Sequence, residues 1–124
     1  MARLLVIDDE ALVRRALRRI LEGAGHQVTE AADGAAGMIA FLAAPQDVVI
    51  CDMVMPVQDG LATLRHMLAA CPTVKFIAMS GGGRSSAGSL LDVAARVGAR
   101  VTLDKPLSKA TVLDAVTGVL AGTP

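Results

Sequence analysis

The sequence predicts an α/β protein with a doubly wound parallel sheet, built from five alternating strand and helix units. Short apolar runs recur along the chain, and stretches with helical periodicity separate them. Strands of a parallel sheet have such apolar runs because helices cover both faces of the sheet. The length of 124 residues suits one domain. Strands that alternate with helices favour parallel pairing with right-handed crossovers.

The predicted strands are short and mostly apolar. Three runs are almost continuously apolar, one keeps only Val101 and Leu103, and one alternates as an edge strand does. In chain order they are Leu4–Ile7, His26–Ala31, Val48–Cys51, Val74–Met79 and Arg100–Leu103. Five units in the strand order 2-1-3-4-5 form the flavodoxin-like (βα)5 fold. In that fold, ligands bind beyond the carboxyl ends of the strands.

The predicted helices are residues 11–21, 34–43, 59–70, 87–97 and 108–121. The first has an apolar face and, opposite it, four arginines: Arg14, Arg15, Arg18 and Arg19. We expect Asp33 to cap the second helix and Ser86 the fourth, and Gly23, Gly25 and Gly98 to mark helix ends. The last helix runs almost to Pro124, so residues 1–124 are predicted to be one domain, with no output domain in this chain.

Composition argues against several classes of protein. Twelve basic and twelve acidic residues cancel, so the chain lacks the field of a nucleic-acid binder. No apolar run approaches the roughly 18 residues of a membrane span, and the run Leu4–Ile7 is too short for a signal peptide. Cys51 and Cys71 lack metal-ligand spacing. We therefore expect a cytoplasmic protein with reduced thiols and no nucleic-acid or membrane partner.

Polar residues follow four of the predicted strands. They are Asp8, Asp9 and Glu10 after the first strand, Asp52 after the third, Ser80 after the fourth and Lys105 after the fifth. Because parallel strands end at one rim, these side chains should converge. An Asp-Asp pair alone is more often a turn or a helix cap. Three carboxylates that lie together repel one another unless a cation compensates, and Mg²⁺ binds such oxygens and completes its shell with phosphate.

Four motifs carry a family resemblance: V-I-D-D-E at 6–10, D-M-V-M-P-V-Q-D-G at 52–60, the hydroxyl of Ser80, and K-P at 105–106. Together they closely resemble response-regulator receiver domains over the whole chain. The resemblance implies that Asp52 is the phosphoacceptor. It also implies a Mg²⁺ site formed by Asp8, Asp9, Asp52 and the main-chain carbonyl of Val54.

The resemblance assigns the remaining residues of the rim as well. Ser80 would act as the switch hydroxyl that bonds a phosphoryl oxygen, and Lys105 would contact the carboxylate and then the phosphoryl group. The Lys105–Pro106 bond is expected to be cis, which is a conformation that proline permits. Pro56 and Gly60 would shape the loop after Asp52.

The implied function is in bacterial two-component signal transduction. A histidine kinase or a histidine phosphotransfer protein would donate its phosphoryl group, and an unknown downstream protein would bind the altered surface. We expect a monomer or a weak dimer that turns over no separate substrate. The arginines of the first helix are either a solvated face or, as in many receivers, part of a partner surface.

Two stretches depart from the family pattern. Thr102 occupies a position where many receivers carry an aromatic switch residue. The stretch S-G-G-G-R-S-S-A-G-S at 80–89 is rich in glycine and serine, and we interpret Gly81–Ser89 as a flexible switch loop. A nucleotide loop is the alternative, but the third glycine of G-x-G-x-x-G and any G-K-[ST] are missing.

Two other functions compete with a receiver. A magnesium-dependent phosphohydrolase with an aspartyl nucleophile would carry D-x-D after one strand and a cap. Here Met53 and Val54 follow Asp52, and no insertion has the size of a cap. A degenerate receiver that only binds partners would not need the complete acidic set or Lys105. Cys51, Met53 and Met55 are predicted to be packing residues.

Overall fold

The structure is a computed structural model that describes residues 2–55, 59–81 and 84–122, with the main chain alone at 84–89. Its strands are β1 Arg3–Ile7, β2 Gln27–Ala31, β3 Val48–Asp52, β4 Phe76–Gly81 and β5 Val101–Lys105. Its helices are α1 Ala11–Gly23, α2 Gly34–Ala43, α3 Gly60–Ala70, α4 Arg84–Val97 and α5 Lys109–Leu120. The strands pair in parallel in the order β2-β1-β3-β4-β5. The predicted (βα)5 fold is thereby confirmed.

The sheet separates two apolar layers. Successive side chains of a strand point to opposite faces, so β1 sends Leu5 and Ile7 to the layer beneath α2, α3 and α4. Leu4 and Val6 go to the layer beneath α1 and α5. Every residue of β3 is buried, as expected for a central strand covered on both faces. This sandwich places the five carboxyl ends of the strands along one rim.

Local signals define several helix ends as predicted. Asp33 accepts a hydrogen bond from the Ala36 amide at 2.8 Å, so it caps α2. Helix α1 ends at Gly23, and Gly98 follows α4 with a φ of +147°, where a side chain would be strained. The Lys105–Pro106 peptide bond is cis. In the part of the chain that the structure describes, no helix has both the length and the apolarity to cross a membrane.

Other boundaries differ from the predictions. Strand β4 begins at Phe76 and continues to Gly81, and β3 and β5 continue through Asp52 and Lys105. The apolar runs stop earlier because a strand ladder uses main-chain groups and tolerates polar side chains at its end.

The fourth helix was also predicted wrongly. It begins at Arg84, so Ser86 lies inside it and does not cap it, and most of the predicted loop Gly81–Ser89 is helical. The low helix propensity of serine and glycine is a weak preference that tertiary packing overrides. Leu91 and Ala94, which are buried in the apolar layer, supply that packing. Gly82 and Gly83 lie outside the described residues.

Candidate functional site

The carboxyl ends of four strands bring the predicted polar residues together. Asp8 directly follows β1, Asp52 ends β3, Ser80 is next to last in β4, and Lys105 ends β5. Three of these side chains are therefore part of the sheet itself. Elements with continuous ladder hydrogen bonding hold side chains more rigidly than loops do, which suits a site that requires fixed geometry.

Three carboxylates form a compact acidic cluster. One oxygen from each of Asp8, Asp9 and Asp52 lies within 4.8 Å of the others. Asp8 is fully buried and Asp52 nearly so, whereas Asp9 is exposed. The cluster thus has a floor inside the protein and an open side toward solvent. Three oxygen donors with an open side are the kind of ligand set that Mg²⁺ takes, since this ion keeps several waters.

Lys105 is the cation that the chain itself supplies to this cluster. Its Nζ donates to Asp8 Oδ2 at 2.7 Å and lies 3.6 Å from Asp52 Oδ2. Burial lowers the pKa of Lys105, but the hydrogen bond to Asp8 and the charge of Asp52 outweigh it, so its pKa is raised. The side chain therefore remains a charged ammonium that bridges two buried carboxylates.

Asp52 has an environment that makes its charge costly. Burial raises the pKa of Asp52, the Lys105 ammonium opposes that rise, and the negative charge of Asp8 adds to it. The Val54 amide donates to Asp52 Oδ1 at a long 3.4 Å. A carboxylate in this position gains from any further positive charge that enters the cluster.

Gly60 is required by the chain segment that follows Asp52. It begins α3, and a Cβ at this position would contact the Asp52 carbonyl oxygen and lie 2.6 Å from the Met53 Cα. Main-chain atoms cannot yield as the tip of a side chain can, so only glycine lets α3 start this close to Asp52. Pro56, which was expected to shape the same loop, lies outside the described residues.

Ser80 Oγ is one of two buried side-chain polar atoms that have no hydrogen-bond partner among the described residues; the other is Gln46 Oε1. The Ser80 Oγ is enclosed and makes no hydrogen bond to any residue that the structure describes. Buried hydroxyls nearly always have a partner, and an exception at a functional rim calls for an explanation. A phosphoryl oxygen held at Asp52 is an acceptor that Ser80 could satisfy. The acidic donor set and this unpartnered hydroxyl together fit a site for Mg²⁺ and a phosphoryl group.

The position where many receivers carry an aromatic switch residue is occupied by Thr102. Thr102 is exposed on β5. The chain's two phenylalanines lie elsewhere, Phe41 in α2 and Phe76 at the start of β4. Cys51, Met53 and Met55 are buried, in agreement with their predicted packing role.

Two of the four arginines of α1 have partners that the sequence did not predict. Arg14 Nη1 donates to the Asp8 carbonyl oxygen at 2.8 Å, and its Nε donates to Glu30 Oε1 at 3.1 Å. Arg18 pairs with Glu30 and Glu22. Charge periodicity alone shows only a basic face, and no signal in the sequence separates these arginines from Arg15, which is exposed.

Comparison with known proteins agrees with this geometry. The family model described as "Response regulator receiver domain" matches residues 4–117. Protein CcdB of Bacillus subtilis is 33% identical over 121 residues, which is 97% of this chain and 98% of that protein. Protein PilH of Pseudomonas aeruginosa is 32% identical over 127 residues, covering 98% of this chain and all of that protein. The chain spans 20% of the length of protein-glutamate methylesterase relatives from Rhodospirillum centenum and Azospirillum brasilense.

A solved structure gives the same result in three dimensions. The response regulator receiver domain protein of Clostridium thermocellum superimposes with a TM-score of 0.91 at 29% identity, covering 98% of this chain and 96% of that chain. The five-stranded order, the acidic rim and the match over residues 4–117 agree with one another. The chain therefore belongs to the response regulator receiver domain family.

Proposed function

We propose that the chain accepts a phosphoryl group on Asp52 from the phosphohistidine of a histidine kinase or a histidine phosphotransfer protein. The observation that carries this proposal is the position of the Asp52 carboxylate. It lies within reach of two further carboxylates and of the Lys105 ammonium, which also bonds to Asp8. A nucleophile, a cation site and a positive side chain at one rim are the parts that phosphoryl transfer requires.

The proposed Mg²⁺ ligands are Asp8, Asp9, Asp52 and the main-chain carbonyl of Val54. Bound there, Mg²⁺ would neutralise negative charge on the carboxylates and on the oxygens of the phosphoryl group. Asp9 and Val54 are exposed, and Val54 exposes 56% of its surface, so a hydrated ion can approach from solvent. The buried Asp8 and Asp52 would then form the inner part of the site.

The residues of the chain then divide the chemistry. A carboxylate oxygen of Asp52 attacks phosphorus, and the bond from phosphorus to the imidazole nitrogen breaks. The electron pair of that bond returns to the imidazole, which remains on the donor protein, and Asp52 becomes an acyl phosphate. Lys105 keeps its proton throughout and is close enough to shift from Asp52 to a phosphoryl oxygen.

Phosphorylation would change the chain through Ser80. The acyl phosphate adds negative charge and acceptor oxygens beside β4, and the Ser80 hydroxyl is free to donate to one of them. That bond would draw the end of β4 toward Asp52 and move the start of α4, which begins at Arg84. Thr102 leaves β5 without an aromatic switch, so the movement of α4 would carry the change instead. We therefore infer that α4 and β5 form the output face.

The phosphoryl donor would dock on α1. An apolar groove of about 460 Å³ runs along this helix, lined by Leu12, Val13, Ala16, Leu17, Ile20, Lys105, Pro106 and Leu107. It reaches Lys105 and so is continuous with the phosphorylation site. Leu12 exposes 78% of its surface there and adds to a contiguous apolar patch, which is the kind of surface that marks an interaction site. A helix that carries the donor histidine would cover this groove.

The proposal describes a signalling phosphoacceptor that turns over no separate substrate. Cys51 and Cys71 are free thiols, which suits the reducing cytoplasm where kinase domains act. The downstream partner would recognise the phosphorylated surface.

The test is labelling with acetyl phosphate in the presence of Mg²⁺. Wild type should form an acid-labile acyl phosphate. Asp52→Asn should form none, because a side-chain amide is not a nucleophile for this transfer. Asp92→Asn is the matched control, since Asp92 is exposed on α4 and does not belong to the acidic cluster. A chelator should block labelling of wild type. Full labelling of Asp52→Asn would refute the assignment.

A further inference from the structure

We propose that Arg14 is a positioning residue. It fixes the orientation of the Asp8–Asp9 peptide and thereby places the Asp9 carboxylate where the acidic cluster binds its cation. The inference rests on the proposed function of the rim as a Mg²⁺ site. It concerns a residue that touches neither the phosphoacceptor nor the phosphoryl group. Its basis is the set of hydrogen bonds around the main chain of Asp8.

Both main-chain groups of Asp8 are tied to β2. The Asp8 amide donates to the Ala31 carbonyl oxygen at 3.1 Å. The Asp8 carbonyl oxygen accepts from Arg14 Nη1 at 2.8 Å, and Arg14 Nε donates to Glu30 Oε1 at 3.1 Å. Ala31 and Glu30 are adjacent at the end of β2. The guanidinium thus completes a loop of bonds between the end of β1 and the end of β2.

The bridge needs a guanidinium that is itself held in one orientation. Arg14 and Glu30 expose only 18% and 22% of their side chains. The second oxygen of Glu30 accepts from Arg18 Nη1 at 3.0 Å, so both carboxylate oxygens are occupied. A planar guanidinium with fixed donors can satisfy a carboxylate and a carbonyl at once. The arginine is therefore constrained at both acceptors.

Holding the Asp8 carbonyl has a direct effect on Asp9. A peptide unit is planar, so the direction of the Asp8 carbonyl fixes the Asp9 amide and Cα. The Asp9 side chain is exposed, so the main chain sets where its carboxylate begins. That main chain is held by Arg14 before Asp9 and by the Glu10 amide after it, which donates to Asp8 Oδ1 at 2.9 Å. Mg²⁺ requires nearly ideal octahedral geometry and loses affinity when a ligand is misplaced. Arg14 would act on the metal through Asp9 without contacting it.

The sign of the effect separates this role from simple electrostatics. Arg14 is a cation beside a cation site, so charge alone predicts that its removal strengthens Mg²⁺ binding. A positioning role predicts the opposite, because the cluster loses its alignment. Loss of an outer partner of a metal ligand commonly lowers metal affinity by about 10-fold or more. We expect Arg14→Gln to bind Mg²⁺ about 10-fold more weakly than wild type.

The experiment is a Mg²⁺ titration followed by the backbone amide signals of the full chain in nuclear magnetic resonance. Arg18→Gln is the matched control, since it also removes one charge from α1 and one partner from Glu30 but does not touch Asp8. Its Mg²⁺ affinity should stay within about twofold of wild type or increase slightly. In the metal-free state, the Asp9 amide signal should move in Arg14→Gln and not in Arg18→Gln.

Two further variants keep the test decisive if Arg14→Gln folds poorly. Arg14→Lys retains the charge but cannot span both acceptors, so its affinity should fall nearly as far as that of Arg14→Gln. Glu30→Gln leaves an acceptor for Arg14 Nε and should show a smaller loss. Unchanged or tighter Mg²⁺ binding in Arg14→Gln and Arg14→Lys would overturn the inference. Absence of saturable Mg²⁺ binding in wild type would instead refute the proposed function.

Discussion

Replacing Lys105 by methionine should destabilise the metal-free chain and should do so much less when Mg²⁺ is present. Methionine keeps most of the length of the lysine stem, which passes over Gly81, and removes only the ammonium. In the metal-free chain, this leaves Asp8 and Asp52 as buried carboxylates without their shared cation. Mg²⁺ would neutralise the same two groups.

The structure sets the size of the effect. Removing one partner of a buried ion pair costs about 3–5 kcal/mol. Asp8 is fully buried and Lys105 exposes 15% of its side chain, so partial solvent screening favours the lower end, about 3 kcal/mol. With an m-value of about 2 kcal/mol per molar urea, the unfolding midpoint should fall by roughly 1.5 M. At Mg²⁺ about 100-fold above the dissociation constant, the ion itself stabilises a chain by about 2.7 kcal/mol, and it should stabilise the variant more than wild type.

The assay is urea unfolding followed by far-ultraviolet circular dichroism, because the chain has no Trp or Tyr to report fluorescence. Lys109→Met is the control, since Lys109 is exposed at the start of α5, and it should change the unfolding free energy by less than about 0.5 kcal/mol. Lys105→Met should also lose the structural response to the phosphate mimic beryllofluoride. If the stability gap to wild type were the same with and without saturating Mg²⁺, the ammonium and the ion would not act on the same carboxylates.

Three further predictions concern other parts of the chain. Gly60→Ala should lower the unfolding free energy by about 1–3 kcal/mol, because the added Cβ meets main-chain atoms, and should slow labelling by acetyl phosphate; unchanged stability and labelling would contradict the packing argument. The hydrogen bond from Arg18 holds the pKa of Glu30 below its ordinary value. The difference in unfolding free energy between wild type and Glu30→Gln should therefore be largest at neutral pH and should disappear as the pH falls and Glu30 is protonated. Urea unfolding at several pH values would detect this loss. With beryllofluoride, amide hydrogen exchange should slow mainly across β4 and α4, and a change confined to α1 or α2 would exclude Ser80 as the transmitting residue.

The fold and the membership of the rim were predictable because both depend on side-chain types at fixed spacings. Unbroken apolar runs such as Val48–Cys51 indicate buried parallel strands, and the carboxyl ends of such strands share one edge. Asp8, Asp52 and Lys105 therefore had to approach one another once the strand order was known. No long-range detail beyond the order of the sheet was needed for that step.

Other features depend on contacts that the local pattern does not contain. Helix α4 begins three residues before its predicted start because tertiary packing overrides the low propensity of serine and glycine. Arg14 and Arg15 look equivalent in a sequence, yet only Arg14 meets both Glu30 and the Asp8 carbonyl. The pairing of β2 with β1 brings Glu30 and the Asp8 carbonyl close together, and the local pattern does not show which arginine of α1 reaches them.

The buried hydroxyl of Ser80 has opposite effects on the stability of the fold and on the proposed response to phosphorylation. A buried polar group without a partner destabilises a fold by about 1–3 kcal/mol, and Ser80 Oγ has none among the residues that the structure describes. Alanine at position 80 would remove that cost and raise the unfolding free energy of the unphosphorylated domain. It would also remove the hydroxyl that is proposed to bond a phosphoryl oxygen. Selection for thermal robustness alone would thus remove the serine, whereas the proposed response to phosphorylation requires it.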